Sequence, residues 1–219
     1  LTYPIGGEGL VPGESELIRW DAFGSTGTFD LAYSLDSGGT WNNITTGLSG
    51  DSRYYSWSVP SVTTGKAMVK VTRGSASDQS DVSFSIARLP LNLSVDWVCP
   101  DSLQLSWNPA TDAIGYEVSQ LGAKYMDSIG TTTQTSFVVH GTNPMVEDWF
   151  SVRTLGADDA RGRRAIAIEK PPGIFGCMLA DDAAITEIIG PGQGTFQGCN
   201  DISDIEVTVE LFNEGVSSI

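Results

Sequence analysis

Short runs of alternating apolar and polar residues, each closed by a turn-forming cluster, restrict the fold of this chain more than any other feature. Between Lys66 and Val71, the side chains of Ala67, Val69 and Val71 fall on one face of an extended strand. Turn-forming residues such as Gly24-Ser-Thr-Gly27 end these runs. Because no run has the periodicity of an amphipathic helix, the chain is predicted to be all-β and built from antiparallel sandwiches.

Residues 1–87 contain five runs of this kind, and they predict a first β-sandwich. The predicted strands are Ser15–Trp20, Thr28–Ser34, Tyr54–Val59, Ala67–Arg73 and Val82–Ala87. A boundary follows, because Pro90 cannot donate to a strand ladder and interrupts it before a new alternating run begins.

Residues 88–172 contain seven further runs, the number expected for an immunoglobulin-like or fibronectin-like sandwich. The predicted strands are Leu91–Trp97, Ser102–Trp107, Gly115–Gln120, Lys124–Ser128, Gln134–Val139, Asp148–Thr154 and Ala165–Glu169. Pro171-Pro-Gly173 then forms a short, stiff linker.

Residues 173–219 contain two predicted strands, Ala184–Ile189 and Asp204–Phe212. Two strands cannot close a sandwich, and an isolated pair is marginal in water. The segment is therefore predicted to be the start of a third sandwich. Either the third domain is cut short here, or a partner chain completes it by donating a strand.

The second module resembles a fibronectin type III domain. The motifs that carry the resemblance are Leu103-Gln-Leu-Ser-Trp107, Gly115-Tyr-Glu-Val118 and Trp149-Phe-Ser-Val-Arg153. The resemblance implies that Trp107 fills the core, opposite the strand that contains Tyr116. Trp149 stands where the family usually has tyrosine, so this sequence departs from the family pattern at that position.

The first module resembles the immunoglobulin-like modules that follow catalytic domains, often peptidases, in large secreted Bacteroidota proteins. The resemblance rests on Tyr3-Pro-Ile-Gly-Gly-Glu8, Ile18-Arg-Trp-Asp21, Tyr33–Trp41 and Trp57-Ser-Val-Pro60. Residues 177–215 resemble the opening of another such module. These resemblances imply a secreted or cell-surface location and a non-catalytic spacer role beside the flanking domains of a larger polypeptide. The alternatives are an adhesion module that binds carbohydrate or protein, and a subunit completed by a partner chain.

The charge of the chain excludes several partners. Its formal net charge is −15, which opposes binding to nucleic acid or to anionic membranes, and it has no apolar run long enough to insert into a membrane. Residues 173–219 carry eight acids and no base. We expect no cofactor; calcium is the ion that these acids would best accept, through Asp181, Asp182, Asp201 and Asp204.

Ser34–Trp41 matches the Asp-box pattern Ser-x-Asp-x-Gly-x-Thr-Trp. We expect a structural hairpin here, in which the Asp36 carboxylate accepts turn amides and glycine supplies a positive φ. Because the pattern occurs once, a sialidase-type propeller is rejected. His140, the one histidine, is expected at a strand end or in a loop, exposed to solvent and without a catalytic role.

Two further sets of residues are candidates for binding. Arg161, Arg163 and Arg164 lie in the predicted loop between the last two strands of the second module. That loop is either a recognition loop or an exposed, protease-sensitive basic segment. The aromatic residues expected to be exposed, and so able to contact a sugar, are Tyr54, Tyr55 and Trp97.

The chain has three cysteines, Cys99, Cys177 and Cys199. We predict a disulfide between Cys177 and Cys199, which would stabilise the incomplete module. Cys99 is then either a buried thiol or the partner of a cysteine outside this sequence.

Overall fold

The computed structural model describes residues 1–177, 183–190 and 208–213. It divides the chain into two compact units, Leu1–Ile174 and Phe175–Ile219. In the part of the chain described, every regular element is a β-strand, which confirms the predicted all-β class. No helix long and apolar enough to cross a membrane occurs among these residues.

The first module is a two-sheet sandwich. Its strands are β1 (Gly9–Leu10), β2 (Ser15–Arg19), β3 (Phe29–Ser34), β4 (Asn42–Leu48), β5 (Tyr54–Ser58), β6 (Thr64–Arg73), β7 (Ala76–Gln79) and β8 (Phe84–Ile86). One sheet pairs β2 with β5, and the other has the order β1-β8-β6-β3-β4, with β7 also paired to β6. All pairs are antiparallel except β1 with β8, which is parallel.

Alternation along these strands sends apolar side chains into one core between the two sheets. Trp20 and Phe29 pack edge to face in it, with their ring centroids 5.2 Å apart. Trp57 and Val69 are also buried there, as their positions in alternating runs predict.

The second module repeats this architecture with its own core. Its strands are β9 (Leu91–Val98), β10 (Ser102–Asn108), β11 (Gly115–Leu121), β12 (Met126–Thr132), β13 (Ser136–His140), β14 (Asp148–Leu155) and β15 (Ile168–Lys170). The sheets have the orders β13-β10-β9 and β12-β11-β14-β15. Trp107 is buried and packs against Tyr116 at 5.3 Å, as the resemblance implied.

In the second unit the structure describes the backbone of one antiparallel hairpin, β16 (Ala183–Gly190) with β17 (Thr208–Asn213). The predicted strand Ala184–Ile189 lies inside β16. The start of the predicted strand Asp204–Phe212 lies outside the described residues.

Three strands of the first module were not predicted, namely β1, β4 and β7. β4 reads Asn-Asn-Ile-Thr-Thr-Gly-Leu, and each of its side chains is half-buried or exposed, so it lacks an alternating pattern. In the second module, the last strand begins at Ile168 rather than at Ala165. The residues before it run beside β14 without forming a regular strand.

The Asp-box segment is the predicted hairpin, and it joins β3 to β4. The Asp36 carboxylate accepts hydrogen bonds from the Ser34 hydroxyl at 2.7 Å and from the Thr40 amide and hydroxyl, both at 2.8 Å. These donors lower the pKa of Asp36 to about 2, the Ser34 hydroxyl contributing most. Gly38 has a φ of 89°, and Lys70 Nζ lies 4.1 Å from the Trp41 ring centroid.

Lys170, at the end of β15, is fully buried. Its ammonium group donates to three main-chain carbonyls, those of Asn143 at 3.0 Å, Pro144 at 2.8 Å and Val146 at 2.6 Å. The three donors of the ammonium group are thereby satisfied, and the loop between β13 and β14 is fixed to the end of the sheet.

Candidate functional site

The segment that contains Arg161, Arg163 and Arg164 lies between β14 and β15, as predicted, and its three arginines are exposed, but its backbone is not a free loop. Its backbone continues the sheet, because Arg161 bridges to Leu155 and the Gly162 amide donates to the Thr154 carbonyl at 2.9 Å. The segment is therefore held against strand β14, beyond the residues of β14 that pair with β15.

Two of the three arginines converge on a buried carboxylate. Glu117 in β11 has a side chain only 6% exposed, and its nearest partner is Arg153 on the adjacent strand, at 2.6 Å. Arg161 lies 3.3 Å from the same carboxylate and Arg164 lies 3.8 Å from it. Although Glu117 is buried, the Arg161 and Arg164 side chains are 63% and 38% exposed, so these two ion pairs mainly orient the segment on its own module.

The third arginine reaches the first module. Arg163 donates to the Glu14 carboxylate at 2.8 Å and lies 3.9 Å from that of Glu16. A second ion pair crosses between the modules, from Lys66 to Asp158 at 2.7 Å. Both pairs are partly exposed, so each contributes little stability and mainly fixes orientation.

Asp158 reaches Lys66 because of an unusual turn. Asp158 and Asp159 both adopt left-handed backbone conformations, with φ of 55° and 57°, which aspartate tolerates better than most residues. The hydrogen bond from Lys66 lowers the pKa of Asp158, and the same bond raises the pKa of Lys66.

Glycines allow the two backbones to touch. A Cβ at Gly9 would lie within 3.0 Å of the backbone of Gly162 and Arg163. A Cβ at Gly65 would clash in the same way with the carbonyl oxygen of Asp158 and the amide nitrogen of Ala160. Neither glycine has a positive φ, so close packing rather than backbone conformation is what requires glycine at these positions.

The connection between the modules is itself hydrogen-bonded. Thr154 Oγ1 donates to the Arg88 carbonyl at 2.6 Å, and the Arg161 amide donates to Ser85 Oγ at 2.9 Å. Gly162 packs against Ala87, which is fully buried. We call the set of contacts around Gly9, Gly65, Asp158 and Arg163 the inter-module interface.

The structure does not bring the predicted aromatic residues together as one exposed platform. Tyr54 is exposed at the first position of β5, whereas Tyr55 is half-buried and packs against the first core. Trp97 is half-buried in β9, in the other module. His140 is exposed at the last position of β13, as expected.

The remaining candidates fall partly outside the described residues. Cys99 and Cys177 are both disulfide-bonded, so Cys99 is not the buried thiol that was one expectation. Cys199, Asp181, Asp182, Asp201 and Asp204 all lie outside the described residues. In the described part of the chain, no three metal-ligating side chains are clustered.

The fold defines a class of protein, a tandem pair of β-sandwich modules, each with its own core. No protein-family model matches the chain, and no curated protein matches it. Among solved structures, the chain is similar to a two-domain fibronectin type III segment from chicken tenascin, at 14% identity and a TM-score of 0.39, covering 72% of this chain and 92% of that one. It is also similar to a chain of a cytokine receptor complex, at 13% identity and a TM-score of 0.45, covering 74% of this chain and 93% of that one.

Proposed function

We propose that this chain is a non-catalytic spacer of a larger extracellular protein, and that it holds a catalytic or adhesive domain outside this sequence at a fixed orientation. The observation that carries the proposal is the inter-module interface. Two ion pairs, two close glycine contacts and hydrogen bonds across the connection join the sandwiches within one compact unit. A spacer with this interface keeps its two modules at a fixed orientation to each other, whereas flexibly linked modules do not.

The extracellular location is supported by the disulfide bonding of Cys99 and Cys177. Disulfides persist in oxidising compartments and are rare where thiols are kept reduced. The net charge of −15 also suits a spacer, because it favours solubility and weakens non-specific contact with anionic surfaces.

The orientation proposal is tested with residual dipolar couplings of the whole chain. We expect the amide couplings of residues 1–87 and 88–172 to fit one alignment tensor. The double substitution Gly9→Ala and Gly65→Ala places a Cβ against the opposing backbone at both points of closest approach. In this variant we expect the couplings of the two modules to require two different alignment tensors. The amide spectrum within each module should stay unchanged, because each module keeps its own core.

Gly13→Ala is the matched control. Gly13 lies in the same module, has open space around it and has a φ of 81°, so alanine there strains the backbone without touching the second module. It should lower stability and leave one shared tensor. If the unmodified chain already needs two tensors, the proposed fixed orientation is wrong.

The spacer role itself is tested on the native protein. An antibody against residues 88–172 captures the polypeptide from cells and from culture medium, and mass spectrometry identifies the sequence on either side. A secreted chain that carries a catalytic or adhesive domain is the expected result. A native protein with neither domain, or one found only inside cells, contradicts the proposal.

A further inference from the structure

The edge of strand β2 that faces away from β5 presents the main-chain groups of Ser15 and Leu17. Successive residues of an antiparallel strand direct their amides and carbonyls to opposite sides, so residues two apart share a side. The Arg19 amide donates to the Tyr3 carbonyl at 2.9 Å, and the Tyr3 amide donates to the Arg19 carbonyl at 3.2 Å. Arg19 thus faces the N-terminal segment rather than β5, and Ser15 and Leu17 face the same way.

The N-terminal segment occupies this edge only as far as Arg19. Its next main-chain bonds go to the other sheet, because the Ile5 carbonyl accepts from the Asp81 amide at 2.8 Å. Among the described residues, no main-chain partner reaches the amides and carbonyls of Ser15 and Leu17 on this side. A free strand edge of this kind is a template for the addition of another strand.

A groove of about 710 Å³ lies along the free edge. It is lined by the N-terminal segment and β2, through Thr2, Tyr3, Ser15, Glu16, Leu17 and Arg19. The pairing of β2 with β5 has no β-bulge, whereas the edge strand β9 shifts register twice against β10. The edge of β2 is therefore regular, and the groove gives an added strand room at the ordinary spacing of about 4.8 Å.

A second copy of this chain fits the edge poorly. Two β2 strands pairing antiparallel about Leu17 would place Ser15 of the copy opposite Arg19, where Tyr3 already lies. Pairing about Glu16 avoids Tyr3 but sets the two Glu16 side chains against each other. Like charges directly opposite in a strand pair are destabilising, so Glu16 opposes self-association at this edge.

Glu16 also selects the charge of a ligand strand. Its side chain is 19% exposed and accepts from the Tyr3 hydroxyl at a long 3.3 Å. Arg163 lies 3.9 Å from the Glu16 carboxylate and is closer to that of Glu14, at 2.8 Å. The charge of Glu16 is therefore only partly neutralised, and a cation on the residue opposite would stabilise it further.

We propose that β2 binds an extended segment of another protein, which adds as an antiparallel strand beside Ser15–Leu17. The segment carries a lysine or arginine opposite Glu16. It carries an apolar residue opposite Leu17, whose side chain is 39% exposed on the outer face of the sheet. Main-chain hydrogen bonds hold the segment, and these two side chains select it.

The test selects ligands for the whole chain from a displayed library of random linear peptides. We expect the selected peptides to alternate in polarity and to carry a lysine or arginine next to an apolar residue. On titration with one of them, the amide resonances of Ser15 and Leu17 should shift. Exchange of the Leu17 amide with deuterium should slow at least tenfold, because that amide gains an acceptor.

Leu17→Pro removes the amide that the added strand needs. Because this amide faces away from β5, the β2–β5 ladder is kept, and proline is tolerated at such an edge. We expect peptide binding to weaken at least tenfold. Ser56→Pro is the matched control, since Ser56 lies opposite Leu17 and its amide faces the other edge of the same two-stranded sheet. It should leave binding unchanged.

A second measurement leaves the protein unaltered. Each residue of a selected peptide is N-methylated in turn, which removes one main-chain donor at a time. Binding should weaken at least tenfold at alternate positions only, because every second amide of an added strand faces β2.

Several results would overturn the proposal. They are a selection that yields no peptide or only peptides without a basic residue, binding that survives Leu17→Pro, and N-methylation effects that do not alternate. Dimerisation of the chain through this edge, lost in Leu17→Pro, would show that the occupant is a second copy instead. None of these results changes the dipolar couplings of the two modules, so this proposal and the spacer proposal fail separately.

Discussion

Replacing Lys170 with methionine tests how much of the second module depends on one buried ammonium group. Methionine keeps an unbranched, apolar stem of similar length and removes the charge. The three carbonyls that accept from Lys170, at 2.6 to 3.0 Å, then lose their donor. The substitution therefore separates the hydrogen bonds of this side chain from its packing.

The expected loss is worked from those three bonds. A hydrogen bond to a charged group contributes about 1.5–3 kcal/mol, and the three do not add fully. The Pro144 carbonyl keeps a second donor, the Gly173 amide at 2.7 Å, and the other two carbonyls are near enough to the surface to gain water. Methionine also removes the cost of burying a charge. We therefore expect a net loss of about 3 kcal/mol.

Urea unfolding followed by tryptophan fluorescence measures this loss directly. For a unit of the size of Leu1–Ile174, about 3 kcal/mol corresponds to a fall in melting temperature of roughly 6–12 °C. Lys124→Met is the control, since Lys124 is exposed and should change stability by less than about 0.5 kcal/mol. A loss below about 1 kcal/mol for Lys170→Met would show that water replaces the ammonium group and that the reasoning is wrong.

Three further predictions concern single features. The carboxyl of Asp36 should titrate near its lowered pKa of about 2. The hydrogen bonds to the ionised carboxylate stabilise the fold fully above the unfolded pKa near 4, and this stabilisation is lost as the pH falls through 2. A titration midpoint near 4, measured by NMR, would contradict the prediction. Trypsin should spare the bonds after Arg161, Arg163 and Arg164 in the folded chain, because that segment is paired with its neighbours; cleavage there as fast as in urea would count against the pairing. Peptide mapping without reduction should find Cys177 in a disulfide and identify whether its partner is Cys199, as the sequence suggested, or Cys99; a free Cys177 thiol would be the contrary result.

The parts of the fold that the sequence predicted are those encoded locally. Trp20, Trp57 and Trp107 occupy alternating positions, and each is buried as that pattern requires. The Asp-box hairpin was predictable for the same reason, because its donors and its acceptor lie within a few residues of Asp36. β4 was missed because its polar residues give no alternation to recognise.

The inter-module interface could not be predicted in this way. Arg163 and Glu14 are 149 positions apart, and the three arginines read equally well as an exposed loop. Gly9 and Gly65 have no positive φ, so no turn pattern indicated that close packing would require glycine there. Only the folded backbone brings these residues to their partners.

Strand β6 connects two features at opposite ends of the first module. It begins at Thr64, beside the inter-module interface, and ends at Arg73, whose guanidinium group donates to the Phe23 carbonyl at 2.9 Å. At about 3.3 Å per residue, its ten residues span roughly 30 Å. Because β6 is one continuous strand, the first module separates its outer end from the second module by roughly 30 Å.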